Sequence, residues 1–278
     1  MNPDVLQIFI GSGEASVIER KVLEHSIRKL SGANVAVHVY NGTHDTVEWA
    51  DGRIERLNTP LNIKYANVTE FSNFRWFIPQ LCGHQGRAMY IDSDMVCFTD
   101  IGIFQSIDMK GAAMMAKPDA YNEGAPGPSW GMSMALFDCA KCRWDVSEWF
   151  AGIERGDFTL TDLHRMQGPF IQRYPLGLTE LPPGWNVFDD YTPGTTQLIH
   201  YTRLDMQPWK FTGHPAGEVW FEHLHAAMRD GFVTQAMIDR QIMRAYVRQD
   251  IMQGNYSSRV KRIRVLAKKL AKEILGRR

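Results

Sequence analysis

Asp92 and Asp94 lie two residues apart at the polar end of an apolar run, Arg87-Ala88-Met89-Tyr90-Ile91. Side chains alternate along extended backbone, so both carboxylates project to the same side. Two carboxylates held that close repel each other unless a cation sits between them, and hard oxygen ligands suit Mg(II) or Mn(II). His200 ends a second short apolar stretch, and an imidazole added to two carboxylates is a donor set that Mn(II) accepts. Asp92, Asp94 and His200 are therefore the candidate metal ligands, with Mn(II) or Mg(II) as the expected cofactor. A solvated turn after a strand also favours Asp-x-Asp, so the surrounding sequence has to decide. Other ligand types are poorly organised. Cys139 and Cys142 form a C-x-x-C without a second pair, which reads as buried structural thiols. His214, His223 and His225 show no ligand spacing.

The elements that would carry these groups have an α/β pattern. Leu6 to Ile10 is an apolar strand that stops at Gly11-Ser12-Gly13. Ile18, Val22, Leu23, Ile27 and Leu30 recur at helical spacing, and Val35 to Tyr40 is a second strand ending at Asn41-Gly42. Such strand–helix–strand openings begin nucleotide-binding α/β sheets, whose ligands sit at the carboxyl ends of strands. A helix is expected from Asn73 to Leu81, limited near its end by Pro79. Strands are expected at Arg87–Ile91, Gly111–Ala116, Met132–Phe137 and Gln197–His200. Helices are expected at Trp144–Arg155 and Thr234–Val247.

Several segments, in order, resemble the family 8 retaining nucleotide-sugar glycosyltransferases, the GT-A-fold group that includes glycogenin and lipopolysaccharide galactosyltransferases. They are IFIGSGEAS with LEHSIRKL, FSNFRWFIP, RAMYIDSDMVCFTDI, WGMSMALFDC, LPPGWNVFDDY and HYTRLDMQPWK, spread over roughly residues 6 to 215. The resemblance implies a GT-A, Rossmann-like fold with a mixed central sheet flanked by helices. It implies that Asp92, Asp94 and His200 bind Mn(II), which holds the diphosphate of a nucleotide-sugar donor. It also places Gly11 and Ser12 near the base and ribose, Ser93 with the aspartate pair, and Arg75 at the donor sugar or phosphate.

The chain departs from the family pattern at informative positions. Where many members read H-x-x-G-x-x-K-P-W with a lysine on the diphosphate, this chain is one residue longer and carries Gln207 before Pro208-Trp209. Arg203 or Lys210 is then the candidate replacement cation, and all three positions are expected on the donor side. The Asp-Gln-Asp motif is replaced by Met166-Gln167-Gly168, leaving Gln167 as the candidate catalytic residue. Gly131 to Ser133 stands for the usual Asn-Ala-Gly. Trp185, Asn186 and Asp189 are candidate acceptor contacts, because indole faces stack on sugar C–H surfaces.

With 278 residues, 44% hydrophobic and 22% charged, the composition is that of a folded protein able to bury a core, which excludes disordered and fibrous classes. Net charge is zero, yet residues 258–278 hold nine basic residues against one acidic, which leaves the preceding residues acidic. Val260, Ile263, Ala267, Leu270 and Ile274 form one apolar stripe among those cations. A domain at 1–254 and a basic amphipathic helix at 255–278 are therefore expected, the helix lying on an anionic membrane surface. No nucleic acid is expected, since no aromatic interleaves the charges. The N-terminus lacks a basic n-region, and no run approaches the ~18 apolar residues of a membrane span. A cytoplasmic protein, peripheral at the inner membrane face, is the expectation.

The expected function is metal-dependent transfer of a hexose from a nucleoside-diphosphate sugar, UDP-linked by the resemblance, to a glycan or lipid-linked acceptor. A catalytically weak nucleotide-sugar or glycan-binding protein on the same fold is the alternative. A nucleotidyltransferase is disfavoured, because it has no use for the His-Tyr-Thr and Pro-Trp segment.

Overall fold

The computed structural model describes residues 1–59, 69–118 and 129–254. The basic tail, and with it the expected boundary after residue 254, lies outside the described residues.

Strand β1 (Leu6–Ser12) is buried along its whole length, Gln7 and Ser12 included, as befits a mainly apolar central strand covered on both faces. Helix α1 (Val17–Leu30) follows, burying Ile18, Val22, Leu23 and Ile27, with Arg28 and Lys29 at its carbonyl end. The chain returns as β2 (Val35–Asn41), parallel to β1. A hairpin, β3 (Thr46–Glu48) and β4 (Ile54–Arg56), extends that edge antiparallel. On the other side β5 (Arg87–Asp92) runs parallel to β1, and β6 (Met95–Cys97) follows almost at once.

Strands β7 (Met114–Pro118), β8 (Trp130–Asp138) and β9 (Leu178–Glu180) complete an eight-stranded sheet of order β4-β3-β2-β1-β5-β8-β7-β9. A second sheet of three strands, β10 (Val187–Phe188), β11 (Leu198–His200) and β6, packs beside it. Helices α3 (Val146–Arg155), α4 (Leu160–His164) and α5 (Gly168–Arg173) lie between β8 and β9 in sequence, and α6 (Gly217–Arg229) and α7 (Gln235–Met243) close the described chain. The α/β class and mixed central sheet are as the sequence implies.

Three expectations need correcting. Residues 73–81 do not form one helix: Ser72–Phe77 is 3-10, and α2 (Ile78–Leu81) follows, with Pro79 in its first turn. Proline lacks an N–H that a first turn leaves unpaired anyway, so it starts the α-helical turn rather than ending one. The strand expected at 111–116 begins at Met114, because Gly111 takes a positive φ of 79° in a turn. The helix expected at 234–247 ends at Met243, with Ala245 at a positive φ of 56°, and α6 was not expected at all, although Trp220, Phe221 and Leu224 are buried on one face. All four cysteines are free and buried, so Cys139 and Cys142 belong to the core.

Candidate active site

Two strand pairings assemble the site. Asp92 is the last residue of β5, directly opposite Gly11 of β1. Ser93 and Asp94 lead straight into β6, which pairs antiparallel with β11 so that His200 faces Met95. The amide of Tyr201 bonds the Asp94 carbonyl at 2.9 Å. Sheet pairing therefore brings a distant histidine beside the aspartates. One ligand atom from each of Asp92, Asp94 and His200 lies within 4.8 Å of the others.

Each ligand is oriented by neighbours. The Tyr90 hydroxyl donates to Asp92 Oδ1 at 2.6 Å, which follows from their i, i+2 positions on one face of β5. The Gln207 amide donates to Asp94 Oδ2 at 3.1 Å and to the Tyr201 carbonyl at 3.2 Å. Nε2 of His200 lies 3.0 Å from Asp94 Oδ1, a buried carboxylate oxygen that meets no other donor among the described residues. Such an atom is costly unless a cation completes it. Burial raises the Asp92 carboxyl above its usual range, with the Asp94 charge adding to this, against the pull of Arg75. Burial alone would lower the His200 pKa, but the Asp94 and Asp92 carboxylates outweigh it and raise it. Two carboxylates, an imidazole and an undersatisfied oxygen fit a divalent cation such as Mn(II) or Mg(II).

The ligands open onto a cavity of about 530 Å³, a size typical of small-molecule sites. Arg75, Asp92, Asp94 and His200 contribute to its lining, as do Trp130, Ser133, Leu160, His164, Arg165 and Leu204. Arg75 is buried, with Nε on the Ser72 carbonyl at 2.7 Å, Nη1 on the Met132 carbonyl, and Nη2 3.8 Å from Asp92 Oδ1. Helix α4 brings His164 to the cavity and starts with a reciprocal capping box between Thr159 and Asp162. His164 Nε2 lies 2.7 Å from Asn73 Oδ1, and burial, aided by Arg75, lowers its pKa to about 3. A neutral imidazole therefore faces the cavity at physiological pH.

Other sequence candidates fall elsewhere. Gly11 and Ser12 are outside the cavity lining: a Cβ on Gly11 would sit 2.5 Å from Tyr90 Oη, and Ser12 is buried. Ser93 is buried between the aspartates. Gln207, expected on the donor, is turned inward onto Asp94. Gln167 precedes α5 and reaches Asp162 Oδ1 at 3.4 Å rather than lining the cavity. Arg203 is half exposed beside Asp205 at 3.4 Å, and Lys210 is exposed.

Trp185, Asn186 and Asp189, the candidate acceptor contacts, also lie outside the cavity lining. Trp185 packs edge-on against Phe104 in the core, with ring centroids 4.7 Å apart. Asn186 is fully buried. The Asp189 carboxylate accepts from the Thr202 hydroxyl, the Arg203 amide at 3.2 Å and His214 Nε2 at 3.0 Å. Those hydrogen bonds overcome the effect of burial and lower its pKa. Sequence reasoning missed Trp130, Leu160, His164, Arg165 and Leu204. The Thr-x-x-Asp capping signal at 159–162 could have located α4, but nothing in sequence shows that α4 folds over the aspartates.

No protein-family model matches the sequence. Protein CDI of Arabidopsis thaliana is 28% identical over 223 residues, covering 73% of this chain and 79% of that protein. The galactosyltransferase LgtC, solved with donor and acceptor sugar analogues, superposes with a TM-score of 0.57 at 15% identity, covering 82% of this chain and all of LgtC. The glycosyltransferase GlyE of Streptococcus pneumoniae gives 0.55 at 14% identity, covering 83% of this chain and 64% of its own. The bifunctional glycosyltransferase WbbM gives 0.55 at 18% identity over 81% of this chain, which spans half the WbbM chain. At these identities the likeness is one of fold, and the fold is GT-A-like.

Proposed function

We propose that this chain is a metal-dependent retaining glycosyltransferase, moving a hexose from a nucleoside-diphosphate sugar, in the first instance a UDP-sugar, to a glycan or lipid-linked acceptor. The observation that carries the reading is the convergence of Asp92, Asp94 and His200 on the wall of a cavity at the carboxyl end of β5. Asp92, Asp94 and His200 would hold a Mn(II) or Mg(II) ion, which would supply positive charge to a leaving diphosphate. The protein's own contribution is orientation. Tyr90 holds Asp92, Gln207 holds Asp94, and Arg75 offers a pinned guanidinium to the donor sugar or phosphate. Neutral His164 and the Trp130 ring shape the part of the cavity left for the acceptor. Arg203 or Lys210, at the surface, is the candidate diphosphate cation.

A second reading, a nucleotide-sugar-binding protein with weak turnover, draws on the inward turn of Gln207 and on the contact between Gln167 and Asp162. A screen of nucleotide sugars with Mn(II), following thermal stabilisation and nucleoside diphosphate release together, separates the two. Stabilisation with release supports the transferase. Stabilisation without release, in the presence of a broad acceptor mixture, supports the binder. The basic stripe at 255–278 supports a peripheral membrane location, and no helix among the described residues is long and apolar enough to cross a membrane.

A further inference from the structure

Resting on the metal reading above, we infer that Asn186 is a positioning residue that fixes the tautomer of His200, so that Nε2 presents its lone pair to the cation. Asn186 stands immediately before β10, which pairs parallel with β11 so that Phe188 lies beside His200. This places Asn186 Oδ1 3.0 Å from His200 Nδ1. A carbonyl oxygen can only accept, so Nδ1 carries the proton and the opposite nitrogen, 3.0 Å from Asp94, is left as the ligand atom. Oriented in this way, the imidazole meets the metal from a defined direction.

Asn186 is itself held rigidly. Its Nδ2 donates to Ser133 Oγ at 3.1 Å, and its carbonyl accepts from Lys117 Nζ at 2.8 Å. Lys117 Nζ also lies 4.2 Å from the Phe188 ring, and that ring packs edge-on to His200 at 5.6 Å. The backbone of Asn186 has a φ of 53°, a left-handed conformation that asparagine tolerates better than most residues. The position thus needs both left-handed backbone and a side-chain acceptor, and few residue types supply both. Through Ser133 the same amide connects the histidine to β8 at the cavity wall.

The substitutions follow from those two requirements. Asn186→Gly keeps the left-handed backbone and removes the acceptor. Asn186→Asp keeps an acceptor of the same shape, and the Ser133 hydroxyl can rotate to donate to it. Mn(II) affinity, read from the electron-paramagnetic signal of free Mn(II), should fall about 10–100-fold in Asn186→Gly and stay within about threefold of wild type in Asn186→Asp. Wild-type affinity in Asn186→Gly overturns the inference while leaving the metal site standing. Absence of Mn(II) binding by the wild type overturns the metal reading and this inference with it. If Asn186→Gly does not fold, nitrogen NMR of the Zn(II)-loaded wild type decides. A proton on Nδ1 with Nε2 bound to metal is expected. Ligation through Nδ1, or a proton on Nε2, means that the amide is oriented the other way and overturns the assignment.

Discussion

Gly11→Ala is expected to disturb the metal site from the neighbouring strand without touching a ligand. A Cβ at Gly11 would lie 2.5 Å from Tyr90 Oη, 2.7 Å from Phe71 Cδ2 and 2.9 Å from Tyr90 Cε2. None of these atoms is the end of a flexible side chain, and Tyr90 is fully buried and tied to Asp92. Overpacking of this kind costs about 1–3 kcal/mol. For a chain of this size that lowers Tm by about 2–10 °C. Pushing the phenol aside also loosens a hydrogen bond to a charged group, worth about 1.5–3 kcal/mol, so Mn(II)-dependent donor binding should weaken with stability. Tyr90→Phe removes the atom of the closest clash but leaves the contacts at 2.7 and 2.9 Å. The double variant should therefore recover part of the Gly11→Ala loss, with a coupling on the order of 1 kcal/mol. Calorimetry and metal titration of the four proteins in that cycle measure both effects. A wild-type Tm for Gly11→Ala, or strict additivity with Tyr90→Phe, would refute the reasoning.

Burial lowers the pKa of His164 to about 3 and that of His38 to about 4, from an ordinary 6.5. The unfolded chain takes up protons below about 6.5 that the native state refuses, so stability is lost as pH falls from 6.5 towards those values. At pH 5 each histidine should cost on the order of 2 kcal/mol. Denaturant titrations at pH 7 and 5 should show this loss, smaller by one histidine's share in His38→Gln. With Gln207 committed to Asp94, a surface cation is left to meet the diphosphate. Single alanine substitutions at Arg203 and Lys210 should reduce donor affinity by about ten- to a hundredfold at one of the two positions, since a charge-assisted contact is worth about 1.5–3 kcal/mol. Isothermal titration with the nucleoside diphosphate and Mn(II) checks this, and equal small effects at both positions would assign neutralisation to the metal alone.

The chemistry legible in the sequence was local. Asp92 and Asp94 announce themselves because period-two geometry and a strand end can be read from neighbouring residues. The long apolar runs of β1 and β5 and the stripe of α1 were legible for the same reason. What sequence hides is orientation imposed by distant partners. Gln207 looks like a donor contact by position, yet its amide turns to Asp94. Trp185 and Asn186 sit in a Pro-Pro-Gly-Trp-Asn loop that resembles a sugar platform, yet the indole joins the core beneath Phe104 and the amide serves His200. Arg75 was legible only through a motif, because its placement depends on carbonyls of Ser72 and Met132. Strands of two or three residues such as β10 and β6 carry too little pattern to read, although their pairing with β11 brings His200 to the aspartates. The histidine of α4 was missed because a five-residue helix carries no periodicity to read, and its capping signal does not say which surface it covers.

The central claim, that Asp92, Asp94 and His200 form a divalent-metal site for a nucleotide-sugar diphosphate, is tested most directly by calorimetric titration of UDP and UDP-sugars into the protein. The titrations compare Mn(II) with EDTA, in wild type and in Asp94→Asn shown to be folded by its circular dichroism. Binding should require Mn(II), and Asp94→Asn should abolish the metal-dependent component while its Tm stays near that of the metal-free wild type. Donor binding that is unchanged by EDTA and by the Asp94 substitution would contradict the account.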